Sequence, residues 1–461
     1  MTDRTDYDVI VVGSGAAGLA AALSHLQHAP GSRVAVLERT TKDRRGGNTA
    51  WTGSFFRLEA DGTPSADFVA RMHDLSRGES DPEQIETLAE NAKATIHWLM
   101  DAGVEFEARS TYFVTAKGPR LMPVGGGDKL ISRMAQVVEA LGAEIRYETT
   151  ATGLTTEGQQ ITGVRVTTPD GEHTLSAPFV VLACGGFEGS PEMLTEHLGD
   201  SAANLPTITP GGMSNQGEGI RMALAVGAGR AGQYERFHGE PVDPRSRNPE
   251  ALVMAYPHGI LVNEDGVRFI DEAGDTPDNT FEHVAFEIWH RQGQRAFLVG
   301  DRKLLERPDL DRSMLTDRGP IQADTVGLLA RRIYVEPEVL ERTVAEYNAA
   351  VGPGDFDATR LDGKGTVGLT PPKSNWALEI DEPPFVAWPV SCAITFTFGG
   401  IRADSTGAVL TEDGEPIPGL YAAGEIVGLY YHRYPGATSV LRALAFGRLI
   451  GLTTAGVASR A

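Results

Sequence analysis

Of 461 residues, 62 are acidic and 41 basic, a formal charge of −21 at pH 7; this excludes a nucleic-acid binder, because a phosphate-facing surface needs a basic cluster and none is present. Only two cysteines occur, Cys184 and Cys392, which excludes a disulfide framework, a zinc site, an iron–sulfur cluster and covalently attached haem, and no metal site is expected. No run of about 18 apolar residues occurs, so no membrane span is expected, and the acidic start Met1-Thr2-Asp3-Arg4-Thr5-Asp6-Tyr7-Asp8 is unlike a leader, which predicts a cytoplasmic protein in a reducing compartment.

The first element is the apolar run Val9-Ile10-Val11-Val12, a buried strand. It is followed at once by Gly13-Ser14-Gly15-Ala16-Ala17-Gly18 and a helical stretch over residues 19–26. A turn at Pro30-Gly31 leads to a second strand over residues 33–37, and Glu38 comes 20 positions after Gly18. Strand, glycine turn, helix, strand and acid in this order meet the requirements of a dinucleotide site. Gly13 makes the tight turn, Gly15 lets the pyrophosphate touch backbone, Gly18 allows helix and strand to pack closely, and Glu38 holds a ribose hydroxyl pair. Ala16 and Ala17 open the helix, whose N-terminal amides favour phosphate. At this point the dinucleotide is either FAD or NAD(P).

After Arg39 the chain reads Gly46-Gly47-Asn48-Thr49-Ala50-Trp51. This stretch resembles the flavoprotein superfamily of fumarate reductases, succinate dehydrogenase flavoprotein subunits, 3-ketosteroid dehydrogenases and tricarballylate dehydrogenase. There the glycine pair and the polar residues after it wrap the FAD. Members that attach FAD covalently carry a histidine here; none lies between His28 and His73, so the resemblance implies non-covalent FAD. Further segments resemble the same family. Gly125-Gly126-Gly127-Asp128 opens an amphipathic helix. Thr149-Thr150-Ala151-Thr152 resembles the strand whose backbone contacts adenine, and Ala183-Cys184-Gly185-Gly186 resembles the strand end beside the adenosine half. Ala423-Gly424-Glu425 resembles a second fingerprint with its acid by the ribityl chain. Ser439-Val440-Leu441 begins a helix whose amides would face the pyrimidine edge of the flavin.

These positions imply an α/β fold: a discontinuous Rossmann-like FAD-binding domain over 1–228 and 385–461, with an inserted α+β substrate-capping domain over 229–384. Within the insert, residues 259–272 read as strand, Glu-Asp-Gly turn and strand, followed by a polar loop to Thr280 and helices over 282–291 and 335–350. No solenoid repeat is present.

Exchange of a hydride and a proton needs a substrate anchor and an acid or base. In Tyr430-Tyr431-His432-Arg433-Tyr434-Pro435-Gly436-Ala437-Thr438, Arg433 resembles the carboxylate-binding arginine of fumarate reductases if one residue is gapped. Tyr434 resembles, without a gap, the carbonyl-polarising tyrosine of ketosteroid dehydrogenases. The string from Tyr434 through Arg442 resembles the tricarballylate dehydrogenase subgroup best. Two departures stand out. Phe269-Ile270-Asp271-Glu272 is followed by neither the arginine donor nor the tyrosine base of those enzymes, and Thr395-Phe396-Thr397-Phe398 lacks the fumarate reductase histidine. The proton-transfer group is therefore sought among His238, Tyr112, His432 and Tyr434, each of which also has a plain structural reading; Arg120 reads as a solvated loop charge or a second carboxylate contact.

The resemblance thus implies dehydrogenation of a CH–CH bond in a small (tri)carboxylic acid, with hydride passing to flavin N5. A C=C reductase, a dehydrogenase of a cyclic ketone such as a 3-ketosteroid, and an electron-transfer flavoprotein subunit remain alternatives. The implied partners are a small carboxylate substrate and a separate electron acceptor, a quinone-linked protein or oxygen.

Overall fold

The computed structural model describes residues 6–116 and 118–456; Met1 to Thr5, on which part of the leader reading rests, lie outside them. The chain forms two compact units, one of Met1–Arg109, Arg120–His238 and Thr395–Ala461, the other of Ser110–Pro119 and Gly239–Ile394. The junctions at 238/239 and 394/395 fall inside the strands Phe237–Val242 and Phe385–Thr397, each ten residues later in the chain than the divisions drawn from motif positions. Strand structure continues through both crossings, and Gly239, Pro241 and Pro389 lie within these strands without ending them.

The first unit has the Rossmann-like α/β architecture. Its six-stranded sheet runs Ala408–Leu410, Pro416–Ala422, Phe179–Leu182, Val9–Val12, Val34–Leu37, Glu144–Arg146. Only the first pair is antiparallel. Parallel strands covered on both faces read as unbroken apolar runs, and all four residues of Val9–Val12 and of Val34–Leu37 are buried. The helices Ala16–His28 and Ser439–Thr454 pack on each other through small residues. A Cβ on Gly447 would lie 2.3 Å from the Ala17 carbonyl oxygen, and one on Gly451 would lie 2.5 Å from Ser24 Cβ, so the two backbones approach too closely for any side chain there. An antiparallel sheet of Thr150–Glu157, Gln160–Thr168 and Gly171–Ser176 and the helices Pro82–Asp101 and Gly126–Ala140 complete this unit.

The second unit is α+β. Its sheet is ordered Phe237–Val242, Phe385–Thr397, Ala296–Gly300, Ile260–Asn263, and its helices include Pro277–Arg291 and Pro337–Ala350. The first of these helices starts at Pro277, inside the stretch read as a polar loop. Proline at the first helical turn supplies the fixed φ and lacks only an N–H that has no helical partner. The expected second strand of the hairpin at 259–272 is absent as well. Beyond the turn only a single bridge forms, Val262 with Arg268, and Ile260–Asn263 pairs with Ala296–Gly300 instead.

The physical reason is a buried ionic knot. Arg268 clamps Glu272 through two bonds of 3.0 and 2.6 Å and donates to the carbonyls of Pro371 and Pro372. Leu261 N also donates to Glu272. Lys373, whose side chain is wholly buried, donates to the carbonyls of Pro257 and Gly259 at 2.6 and 2.8 Å and stands 3.9 Å from Glu272. Burial lowers the Lys373 ammonium to about 8, with the Glu272 carboxylate opposing that shift.

Candidate cofactor cleft and active-site loop

A cleft of about 960 Å³ opens at the carboxyl end of the parallel strands of the first unit, where open α/β sheets bind ligands. Its lining includes Gly13, Gly15, Ala16, Ala17, Glu38, Arg39, Gly46, Gly47, Asn48 and Thr49 from the N-terminal motifs, and Ala151, Ala183, Cys184, Gly185, Gly424 and Glu425 from segments far along the chain. Gly18, Ser439, Val440 and Leu441 are not among the lining residues, although Ala443 of the same helix is. Leu441 is fully buried in the core, and Gly18 lies where a Cβ would meet the Gly13 carbonyl oxygen at 2.0 Å, the close packing expected of it.

The three fingerprint glycines differ physically. Gly13 adopts φ +108°, and a Cβ there would strike the Ala183 carbonyl oxygen at 2.4 Å; at Gly15 the nearest atom to a Cβ is 3.7 Å away. Gly13 and Gly18 therefore serve the fold, whereas Gly15 leaves open room where a ligand can touch backbone. Glu38 is 7% exposed. It accepts a short hydrogen bond from Ser14 and two of 2.8 Å from the amide and hydroxyl of Thr40, so its carboxylate is aimed before any ligand arrives. The donor set and the open backbone at Gly15 fit a dinucleotide such as FAD.

The structure adds lining residues that sequence reading did not single out: Arg44, Ser214, Asn215, Glu218 and Met222. Arg39 donates to the Ser214 carbonyl at 2.6 Å and pairs with Glu218 at 3.0 Å. The Cys184 thiol is pushed up to about 12, by desolvation first and the Glu218 carboxylate second, and stays neutral. The floor is pinned by Arg442, 3% exposed, which donates to the carbonyls of Val427 and Gly424 at 3.1 and 2.9 Å and lies 4.6 Å from the Tyr430 ring centre. An arginine inside an apolar helical stretch was the signal available for it.

Thr395 to Phe398 divides two environments, because side chains alternate along a strand. Thr397 donates from its amide and hydroxyl to Glu425 at 3.0 and 3.2 Å. Phe396 and Phe398 instead join an aromatic cluster. His238, 4% exposed, has its ring centre 4.4 Å from that of Tyr434 and 5.0 Å from that of Phe396, and Tyr430 lies 5.2 Å from Tyr434. Two of the predicted proton-transfer candidates are thus side by side.

Tyr434 closes a turn onto the helix Ser439–Thr454. Its hydroxyl accepts from the amides of Thr438 and Ser439, both at 2.9 Å, and donates to Ser439 Oγ at 3.0 Å. His432 and Ala437, on either side of the turn, have φ of 56° and 66°, a left-handed backbone that costs a non-glycine residue roughly 1–2 kcal/mol and often marks a functional segment. Arg57, which sequence reading missed, supports the turn by donating Nε to the Gly436 carbonyl at 2.9 Å. The other candidates separate from this pair. The His432 ring bonds to Glu79 at 2.6 Å, Arg433 is exposed, and Tyr112 belongs to the second unit, its ring 4.6 Å from that of Phe113.

A family model described as FAD binding domain matches residues 8–441. NADH:fumarate oxidoreductase of Klebsiella pneumoniae (strain 342) is 26% identical over 457 residues, covering 96% of this chain and 47% of that protein; the chain spans about half the length of this relative. Vinyl phenol reductase of Lactiplantibacillus plantarum is 25% identical, covering 92% of this chain and 90% of that one. Among solved structures, 3-ketosteroid-Δ4-(5α)-dehydrogenase from Rhodococcus jostii RHA1, in complex with 4-androstene-3,17-dione, superposes with a TM-score of 0.73 at 26% identity, covering 99% of this chain and 98% of that one. No helix among the described residues is long and apolar enough to cross a membrane.

Proposed function

The chain belongs to the FAD binding domain family, and from that premise we propose that it is an FAD-dependent oxidoreductase acting on a CH–CH bond, or the corresponding C=C bond, of a small substrate. The specific reading is dehydrogenation of a small carboxylic acid, resembling tricarballylate dehydrogenase. FAD, held non-covalently, supplies the two-electron hydride exchange. The chain's own residues bind the substrate, polarise it and hold the proton.

One observation carries this reading: the Tyr434 hydroxyl takes two amide bonds at a helix N-terminus. Those bonds fix the phenolic oxygen at the start of the helix Ser439–Thr454, where its one proton can turn from Ser439 Oγ to a carbonyl or carboxylate oxygen of the substrate. His238, whose ring lies tilted against that of Tyr434, is placed to hold the second proton. Arg433, exposed beside the strained turn, is free to grip a carboxylate bidentately. Electrons leave to a separate acceptor, a quinone-linked partner or oxygen, and a cytoplasmic location belongs to the same proposal.

Reduction of an activated double bond is the second reading, favoured by the activities named for the fumarate and vinyl phenol relatives. The missing arginine after Glu272 and the lack of a histidine across Thr395-Phe396-Thr397-Phe398 weigh against it.

Anaerobic visible spectra during titration with tricarballylate, a 3-ketosteroid and succinate test the proposal. Bleaching by one of them names the substrate class. Rapid reoxidation of the chemically reduced protein by an unsaturated acid, with no bleaching, selects the reductase. Capture of a redox partner with no turnover at all selects an electron-transfer subunit, and the lack of any flavin band overturns the whole reading. Tyr434→Phe is expected to lower kcat by about 10²-fold or more with FAD retained, whereas Arg433→Ala raises KM.

A further inference from the structure

Beneath the cleft lie two acids whose surroundings hold too few donors for both to be charged. Glu188, 1% exposed, follows the glycine pair at the end of the strand Phe179–Leu182. Its Oε1 accepts from Asn48 Nδ2 and from Asn215 Nδ2, both at 2.6 Å. Asn215 Nδ2 also lies 3.4 Å from Glu425 Oε2, so one amide spans both carboxyl groups. Glu425 Oε1 is taken by the two bonds from Thr397, and the Glu425 carboxyl also accepts from the Gly186 backbone N–H. The accounting leaves Glu188 Oε2 buried with no protein donor in reach, although the Glu425 carboxyl is close enough to hydrogen-bond with Glu188. Two facing acceptors with no donor between them call for a proton.

The wider surroundings do not supply another counter-charge. Arg39 is committed to Glu218, the buried Arg442 donates to the backbone carbonyls of Val427 and Gly424, Cys184 is a neutral thiol, and His197, whose ring lies 5.4 Å from that of Phe187, is held toward its neutral form by burial. Burial first and the Glu425 charge second raise the Glu188 carboxyl well above the usual range; burial likewise raises Glu425.

We propose that Glu188 and Glu425 share a single proton in the folded protein, and that this proton makes occupancy of the cofactor cleft pH-linked. Glu425 opens onto the cleft, so a ligand seated there removes its remaining water. Desolvation disfavours the doubly ionised pair, and the pair therefore holds its proton more tightly when the cleft is filled. Affinity must then fall as pH rises through the titration of the pair, by up to tenfold per pH unit for one linked proton. The linkage rests on the reading of the cleft as the FAD site, whereas the shared proton is a property of the chain alone.

Two measurements on the full chain test the two halves. Infrared absorption of the apoprotein should show a protonated-carboxyl stretch near neutral pH that shifts in D2O and is lost in Glu188→Gln. FAD affinity, read from quenching of flavin fluorescence, should weaken with pH in the wild type and become flat over the same range in Glu188→Gln. That substitution keeps the acceptor for Asn48 and Asn215 and supplies an N–H toward Glu425, so a purely structural role would leave the pH profile unchanged. Absence of a deuterium-sensitive carboxyl band in the wild type overturns the shared proton even if the variant does not fold. Equal pH slopes in the two proteins overturn the linkage. If neither protein binds FAD, the FAD reading itself fails, and the infrared band still decides the proton.

Discussion

Each unit buries ionisable side chains, and the two neutralise them in opposite ways. In the second unit Glu272 lies between Arg268 and Lys373, and backbone carbonyls and an amide take up the remaining hydrogen bonds. In the first, two carboxyls face each other, met by side-chain amides and by Thr397, with one Glu188 oxygen left over. A cluster closed on all sides by the protein holds segments in place; a cluster that opens onto a cleft and lacks a donor is poised to respond to what enters. The difference lies in which groups remain unsatisfied rather than in how many charges are buried.

Breaking the closed cluster should have the largest effect. Glu272→Gln leaves two buried cations without a counter-charge and is expected to cost about 3–5 kcal/mol of stability, measured by urea unfolding. A loss under about 1 kcal/mol would mean that the cluster is solvated and the contrast with the first unit is misplaced.

Around the cleft, stability and ligand binding should come apart. Gly18→Ala forces a Cβ against the Gly13 carbonyl and is expected to cost about 1–3 kcal/mol. Gly15→Ala has room in the protein and is expected to change stability by no more than about 0.5 kcal/mol while sharply weakening FAD binding. Thermal melts of the apoproteins and fluorescence titrations with FAD separate the two outcomes, and equal effects in both assays would remove the distinction drawn between these glycines.

The smallest effect sharpens the comparison through pH. Lys373 titrates at about 8 in the folded chain against an ordinary value of 10.5, so between these values the unfolded chain binds more protons and stability rises with pH. Unfolding free energy of the wild type relative to Lys373→Met should therefore increase from pH 8 toward 10.5. A constant difference would show that the ammonium is not desolvated. The acid pair has the opposite sign: its raised folded-state values favour the native state at low pH, and that contribution is lost as pH rises through them.

Legibility of the cleft followed sequence distance. Gly13, Gly15, Gly18 and Glu38 were assigned separate roles because turn, helix and following strand are neighbours in the chain, and each role is a local steric or capping demand. Ala183, Cys184, Gly185, Gly424 and Glu425 were found through resemblance. Asn215 and Glu425 meet across 210 residues, and Arg39 and Glu218 across 179; no local pattern announces such pairs. The failed hairpin strand after Gly266 has the same origin. Alternation favoured a strand, but Arg268 found the Pro371 carbonyl 103 residues away, and burying its charge with Glu272 outweighed a ladder of pairing.

The order of apolar runs, glycine turns and the acid after the second strand determined an α/β nucleotide-binding architecture, because strand, turn and helix preferences act over a few residues; that an insert interrupts it was implied only by the family resemblance of the C-terminal segments. The tertiary structure alone decided which acids share a site, which of the candidates His238, His432, Arg433 and Tyr434 come together, and which glycines face a ligand rather than a neighbouring backbone. Those outcomes depend on burial and on hydrogen-bond partners that only the folded chain brings within reach.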